Sequence, residues 1–219
     1  IHAGTEIGVA STKAFLGQLM VLYILCLKIA SIRKDINQST YEKNIKNLNS
    51  IPEAIRKCLN TESNVQLMAK EFLHAKGSMF LGRGSSFPIA LEGALKLKEL
   101  SYLHAEGYPA GEMKHGPLAL IEEGLPVIIL APKDKYFQKT LSNMQEVIAR
   151  GGKILFITDN KKESLNENIR FGLRVPHLDS LLSPFLLTIP LQLLSYHVAL
   201  MKGCDVDKPR NLAKSVTVE

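Results

Sequence analysis

Hydrophobic positions recur with two different periods along this chain, and the change between them divides it. In the first part the period is helical. Phe15, Leu19, Leu22, Tyr23 and Cys26 repeat on one face behind Ser11 and Thr12, both good cap residues. A polar spacer covers residues 31–39, and a weaker amphipathic stretch then runs through Tyr41, Ile45 and Leu48. Pro52 opens a short helix, and Ser63 caps another that carries Val65, Met68 and Phe72. From there short unbroken apolar runs take over, at 78–81, 125–130 and 153–158, with 173–176 as a candidate fourth. Helical patterns separate them. Pro88 opens one that lasts to about Ser101, and Phe137, Leu141, Met144, Val147 and Ile148 mark another, stopped by Gly151-Gly152. A long apolar helix around 184–201 closes the core, and 206–219 reads as a polar surface tail.

Strand, glycine turn, helix, strand is the pattern of βαβ units. The expected fold class is therefore α/β: a three-layer αβα sandwich with a parallel sheet, preceded by helices. Ligands of such sheets bind beyond the carboxyl ends of the strands. The turn Gly82-Arg83-Gly84-Ser85-Ser86 follows the first run and occupies such a position.

The chain of 219 residues can bury a core without disulfides. Its three cysteines, Cys26, Cys58 and Cys204, are odd in number and lack metal-ligand spacing, so a reduced cytoplasmic protein without a zinc site is expected. The net charge of +6 suits an anionic partner. The bases are scattered, however, and the densest places, Arg33-Lys34-Asp35 and Lys161-Lys162-Glu163, each include an acid. No aromatic–basic interleaving marks a nucleic-acid binder, which leaves a phosphorylated small molecule as the expected partner. No membrane span is expected either. The uncharged run 14–27 has 14 residues, and the longer one at 180–201 contains Pro184, Pro190, Gln192 and His197.

Three places carry candidate chemistry. The Gly82–Gly84 turn begins like a dinucleotide fingerprint, but Phe87 stands where the third glycine belongs. It is either an anion-holding helix start or simply a tight turn. In the helix 88–101, Glu92, Lys96 and Glu99 fall at i, i+4 and i+7 on one narrow stripe of an otherwise apolar surface. The stripe is either a buried group with tuned proton affinities, able to serve as a proton-transfer base, or an ordinary solvent-side salt bridge. Residues 104–117 have no clean period and read as a loop holding His104, Glu106, Glu112, Lys114 and His115. The two histidines are not at metal spacing, so no metal is expected, and His115 is an acid–base candidate.

Read together, several stretches resemble the glucosamine-6-phosphate synthase family (glutamine:fructose-6-phosphate amidotransferase, isomerizing). They are Ala3-Gly4-Thr5-Glu6-Ile7-Gly8-Val9-Ala10-Ser11-Thr12-Lys13-Ala14-Phe15, Ala90-Leu91-Glu92-Gly93-Ala94-Leu95-Lys96-Leu97-Lys98-Glu99, Gly111-Glu112-Met113-Lys114-His115-Gly116-Pro117 and the segment from Asp205 to Glu219. The resemblance runs from end to end, and it implies a fold of sugar-isomerase (SIS) domains. Residues 1–60 would be the end of a first SIS domain and a helical linker, 61–204 the second SIS domain, and 205–219 an active-site tail. By the same resemblance the substrate is fructose-6-phosphate and the product glucosamine-6-phosphate, made in a homodimer without a cofactor. Glu99 would move the proton between C1 and C2 with help from Lys96. His115 would open the sugar ring in the partner subunit's site, Lys214 would form a Schiff base with the ketose, and Val9, Ser11 and Ala213 would line the sugar. Two parts of the family are missing from these residues: the glutaminase domain with its N-terminal cysteine, and the phosphate loop of the first SIS domain. A non-catalytic sugar-phosphate-binding SIS module is the alternative; it would need that loop but no base, ring-opening histidine or tail lysine.

Overall fold

The computed structural model describes residues 1–161 and 169–214. Lys162, Glu163 and the tail end 215–219 lie outside the described residues. The helices are α1 Lys13–Ile32, α2 Gln38–Leu48, α3 Ile51–Leu59, α4 Glu62–Ala69, α5 Ser86–Ser101, α6 Phe137–Ile148 and α7 Ser183–Met201. The strands are β1 Gly77–Gly82, β2 His104–Pro109, β3 Pro126–Leu130, β4 Lys153–Thr158 and β5 Ile169–Arg174. They form one parallel sheet in the order β2-β1-β3-β4-β5. The α/β, three-layer expectation is met.

The three central strands explain the unbroken apolar runs, because both faces of the sheet are covered. In register, Phe80, Ile128 and Leu155 face one side and Met79, Val127 and Ile154 the other. The first side packs under α4, α5 and α7, the second under α6 and the short helices after β2. Ala54 and Cys58 of α3 join the first cluster, so the helices ahead of the sheet share its core.

Helix α7 is buried nearly all round despite its polar residues and Pro190. Thr188 Oγ1 and Ser195 Oγ donate back to the carbonyls of Pro184 and Leu191, at 2.8 and 2.9 Å, which removes the cost of burying them. Pro190 has no N–H for the carbonyl four residues back, at Leu186. The thiol of Cys58 faces that carbonyl at 3.9 Å, and burial pushes its pKa up to about 12, so it stays a donor.

Three expectations are corrected. Residues 104–109 are an edge strand rather than loop, and 110–115 and 117–120 are short 3₁₀ turns. The last strand is β5 at Ile169–Arg174, earlier than the run at 173–176. Helix α1 extends through Lys28 to Ile32, making 20 residues instead of 14. By length and composition alone, α1 and α7 are long and apolar enough to cross a membrane. Most of α7 is buried in the fold, whereas Val21, Leu22, Ile24, Leu25, Ile29 and Ile32 of α1 are exposed.

Candidate active site

The crossover helix α5 leaves the carboxyl end of β1 and runs back toward the amino end of β2. Its charged stripe therefore starts at mid-helix with Glu92 and runs through Lys96 and Glu99 toward the amino ends of the strands, away from the carboxyl ends where ligand binding was expected. The stripe is buried. Lys96 is 4% exposed, Glu92 11% and Glu99 23%. Lys96 Nζ donates to Glu99 Oε2 at 2.5 Å and lies 3.5 Å from Glu92 Oε1. Burial pushes the Glu92 carboxyl above the usual carboxylate range; Lys96 pulls it back and Glu99 pushes it up again. Of the two readings left open for the stripe, the solvent-side salt bridge is the one excluded. The exposed face of α5 carries Leu91 and Leu95 beside Lys98, while Ile89, Ala90, Ala94, Leu97 and Leu100 are buried.

Leu100, next to Glu99, forms part of the wall of a cavity of about 320 Å³. Gln192 and Tyr196 of α7, Thr5, Glu6, Ile7, Gly8, Ala10, Thr12 and Lys13 of the N-terminal segment, and Val206 and Asp207 of the tail complete it; Val9 and Ser11 are not in its wall. The N-terminal segment and the tail are joined by the Val9 N–H, which donates to the Asp207 carbonyl at 3.0 Å. Lys214 Nζ lies 3.7 Å from Glu6 Oε2. Glu6 also accepts from the Thr12 and Ala14 amides, at 2.8 and 3.3 Å, where α1 begins. Burial raises its carboxyl, but these amides and the Lys214 charge outweigh that and hold it below its ordinary value. Thr12 makes no side-chain cap of its own, so Glu6 is the cap of α1.

The structure thus places Lys96 with Glu99 and Lys214 with Glu6; Val9 and Ser11 are half-buried in the same N-terminal segment as Glu6, and Ala213, beside Lys214, is exposed. His115 is not among them. It is 76% exposed, 3.8 Å from Glu112, at the carboxyl end of β2, while Glu99 lies near the amino end of the same strand. Six strand residues separate these ends by about 20 Å. The Gly82–Ser86 turn is filled. Tyr136 covers Gly84, where a Cβ would come within 2.7 Å of its ring, and Arg83 turns to Asn143 Oδ1 at 2.8 Å. That supports the tight-turn reading. Glu6 was missed as a site residue; its signal is an acid just ahead of a helix start. Among the described residues no cluster of His, Cys, Asp and Glu could hold a metal ion.

Residues 71–202, more than half of the chain, match the SIS domain. The chain belongs to the SIS domain family. Over its whole length this SIS-domain chain is 50% identical to the glutamine–fructose-6-phosphate aminotransferase [isomerizing] of Agrobacterium fabrum. It is 52% identical to that of Bordetella pertussis. The chain spans about a third, 36%, of the length of these relatives. The C-terminal domain of glucosamine-fructose-6-phosphate aminotransferase from Francisella tularensis superposes with a TM-score of 0.91 at 45% identity. That match covers 95% of this chain and 59% of the other. Glucosamine-6-phosphate deaminase from Thermotoga maritima shares the SIS fold at 24% identity, with a TM-score of 0.68, over 98% of this chain and 60% of that one. The resemblance drawn from the motifs therefore holds along the whole SIS-domain chain.

Proposed function

We propose that this chain is the isomerase portion of an enzyme that makes glucosamine-6-phosphate from fructose-6-phosphate and glutamine-derived ammonia. The observation that carries the reading is the Lys96 ammonium buried between Glu92 and Glu99, on the helix whose Leu100 joins Val206 and Asp207 of the tail in one cavity wall. A carboxylate shielded from water and paired to an ammonium suits proton transfer between adjacent carbons. In this reading Glu99 carries the proton between C1 and C2, and Lys96 assists at the neighbouring hydroxyl. The Lys214 amine adds to the ketose carbonyl and, with loss of water, gives an imine that acidifies the C1 hydrogen. Val9, Ser11 and Ala213 line the sugar.

His115 opens the sugar ring in the site of a second copy. Its distance from Glu99 within one chain supports this, as do Leu91 and Leu95, exposed on α5 and in want of a cover. The protein is thus a homodimer. Residues 1–60 end a first SIS domain and link it to a second at 61–204, with 205–219 as the active-site tail. The glutaminase domain and the phosphate loop belong to the remaining length of the relatives. Helix α1 is read as a protein-contact helix rather than a membrane span. Leu16, Leu19, Met20 and Tyr23 already pack on Leu182 and Phe185, and Tyr23 Oη donates to Asn44. Free thiols at Cys26, Cys58 and Cys204 suit the cytoplasm.

The test is Glu99→Gln in the full-length protein, assayed with fructose-6-phosphate and added ammonium. Turnover should fall by about two to four powers of ten, the range for losing a general base, while sugar binding persists. Near-normal turnover refutes the role.

A further inference from the structure

Tyr102 ends α5, three residues after Glu99, in a conformation that tyrosine rarely adopts. Its φ is 60° and ψ 13°, the left-handed cap position that glycine or asparagine usually fills. A Cβ there strains the backbone, so the side chain is kept against a local cost. The side chain meets one residue of the tail, Arg210, in two ways. The Arg210 guanidinium carbon sits 4.2 Å from the ring centroid, and the Arg210 backbone N–H donates to Tyr102 Oη at 2.8 Å. A contact over the ring and a hydrogen bond to its hydroxyl, both from the same partner, fix orientation as well as distance.

The neighbouring tail contacts show what this adds. Asp205 Oδ1 accepts from the amides of Asp207 and Lys208, both at 2.9 Å, Asp207 is held by Val9, and Pro209 is buried. The hydrogen bonds among these precede Arg210 and tie the tail to itself or to the N-terminal segment. Asn211, with φ 62°, then turns the chain toward Lys214. Arg210 is thus the point where the tail is tied to the helix that carries Glu99. Lys214 is four residues further on, within about 14 Å of chain.

We propose that Tyr102 and Arg210 form a clasp that sets the position of Lys214 relative to Glu99, which makes both of them positioning residues of the imine and proton-transfer site. The inference rests on the functional reading above. It explains why a tyrosine occupies a glycine position: the strained backbone aims the ring at the tail.

The decisive variant is Tyr102→Gly in the full-length protein, since glycine relieves the backbone while removing the ring. Hydrogen exchange at the amides of residues 210–214 should speed up about tenfold, the scale expected for losing one stacking contact and one hydrogen bond. With fructose-6-phosphate and borohydride, the labelled fraction of Lys214 should drop about tenfold. So should kcat, with KM within about threefold of wild type. Tyr102→Phe keeps the stack and should recover most of the loss. Arg210→Ala should match Tyr102→Gly, and the double variant should be no worse than either single one. Wild-type exchange together with wild-type labelling in Tyr102→Gly overturns the clasp, as do additive losses in the double variant. A wild-type protein that is never labelled by fructose-6-phosphate and borohydride refutes the functional reading instead. The exchange rates then still decide whether the clasp exists.

Discussion

Replacing Lys96 by methionine isolates the electrostatics of the α5 stripe. Methionine fills most of the same volume and keeps helix propensity, so the change is mainly one of charge. It leaves Glu92 and Glu99, two turns apart on a buried face, with no cation between them. Removing one member of a fully buried ion pair costs about 3–5 kcal/mol. Glu99 retains 23% exposure and Glu92 11%, so solvent screens part of the charge and about 2–4 kcal/mol is the working figure. At this chain length each kcal/mol lowers Tm by about 2–4 °C, which gives a drop of roughly 5–15 °C at neutral pH. The pH dependence has a definite sign. Burial and Glu99 already raise the Glu92 carboxyl, and Lys96 is the influence that lowers it. Without Lys96 it rises further above its unfolded value, so the folded chain binds a proton that the unfolded chain does not. Stability then falls as pH rises through that window and recovers below it. Thermal unfolding from pH 4 to pH 8, followed by circular dichroism and by hydrogen exchange of β1 and α5, reads both effects. A second change, Glu92→Gln, should return part of the loss. If Lys96→Met sits within about 0.5 kcal/mol of wild type at neutral pH, or its deficit does not shrink on acidification, the stripe is not the buried triad described here.

The layers of the fold could be read from the sequence because the central strands are covered on both faces. Met79, Phe80 and Leu81, like Val127, Ile128 and Ile129, need apolar contacts whichever way they point. The edge strand β2 escaped for a related reason. Its polar residues His104 and Glu106, and Tyr108 at the margin of the second core cluster, alternate with Ala105 and Gly107, and α5 comes so close at Gly107 that a side chain would not fit. A strand that must be small on one face and polar on the other carries little hydrophobic signal. The stripe of α5 showed in the spacing of Glu92, Lys96 and Glu99, but its burial did not. Spacing fixes which residues share a face, not which face the protein covers, and here the leucines at 91 and 95 face outward. The pairing of Lys214 with Glu6 joins residues from opposite ends of the chain, which no local period encodes. Only the family resemblance singled out that lysine, and nothing singled out Tyr102, whose importance lies in a backbone angle.

Two further perturbations test how the site is held. At Gly107 an added Cβ would stand 2.9 Å from Leu91 Cα and N and 3.0 Å from Ala90 C, and helix backbone cannot give way as a side chain can. Gly107→Ala should therefore destabilise by about 1–3 kcal/mol, read as a lower denaturant midpoint, and an unchanged midpoint would contradict the close approach of β2 and α5. Glu6→Gln keeps the shape and the acceptor but removes the charge. That charge faces Lys214 at 3.7 Å and caps α1 through the Thr12 amide at 2.8 Å. Losing the ionic part of such a cap costs about 1 kcal/mol. The Glu6 carboxyl titrates below its ordinary value in the folded chain, because the Thr12 and Ala14 amides and Lys214 outweigh the effect of burial. Its stabilising contribution is then fully present above the unfolded carboxylate value of about 4.3 and is lost as pH falls through the lower folded value. Wild type should lose protection of the α1 amides on acidification across that window. The glutamine variant should start lower at pH 7 and show little further loss from this source. Equal protection in the two proteins at pH 7, or the same acid slope in both, would remove Glu6 as the group that ties the α1 start to the Lys214 tail.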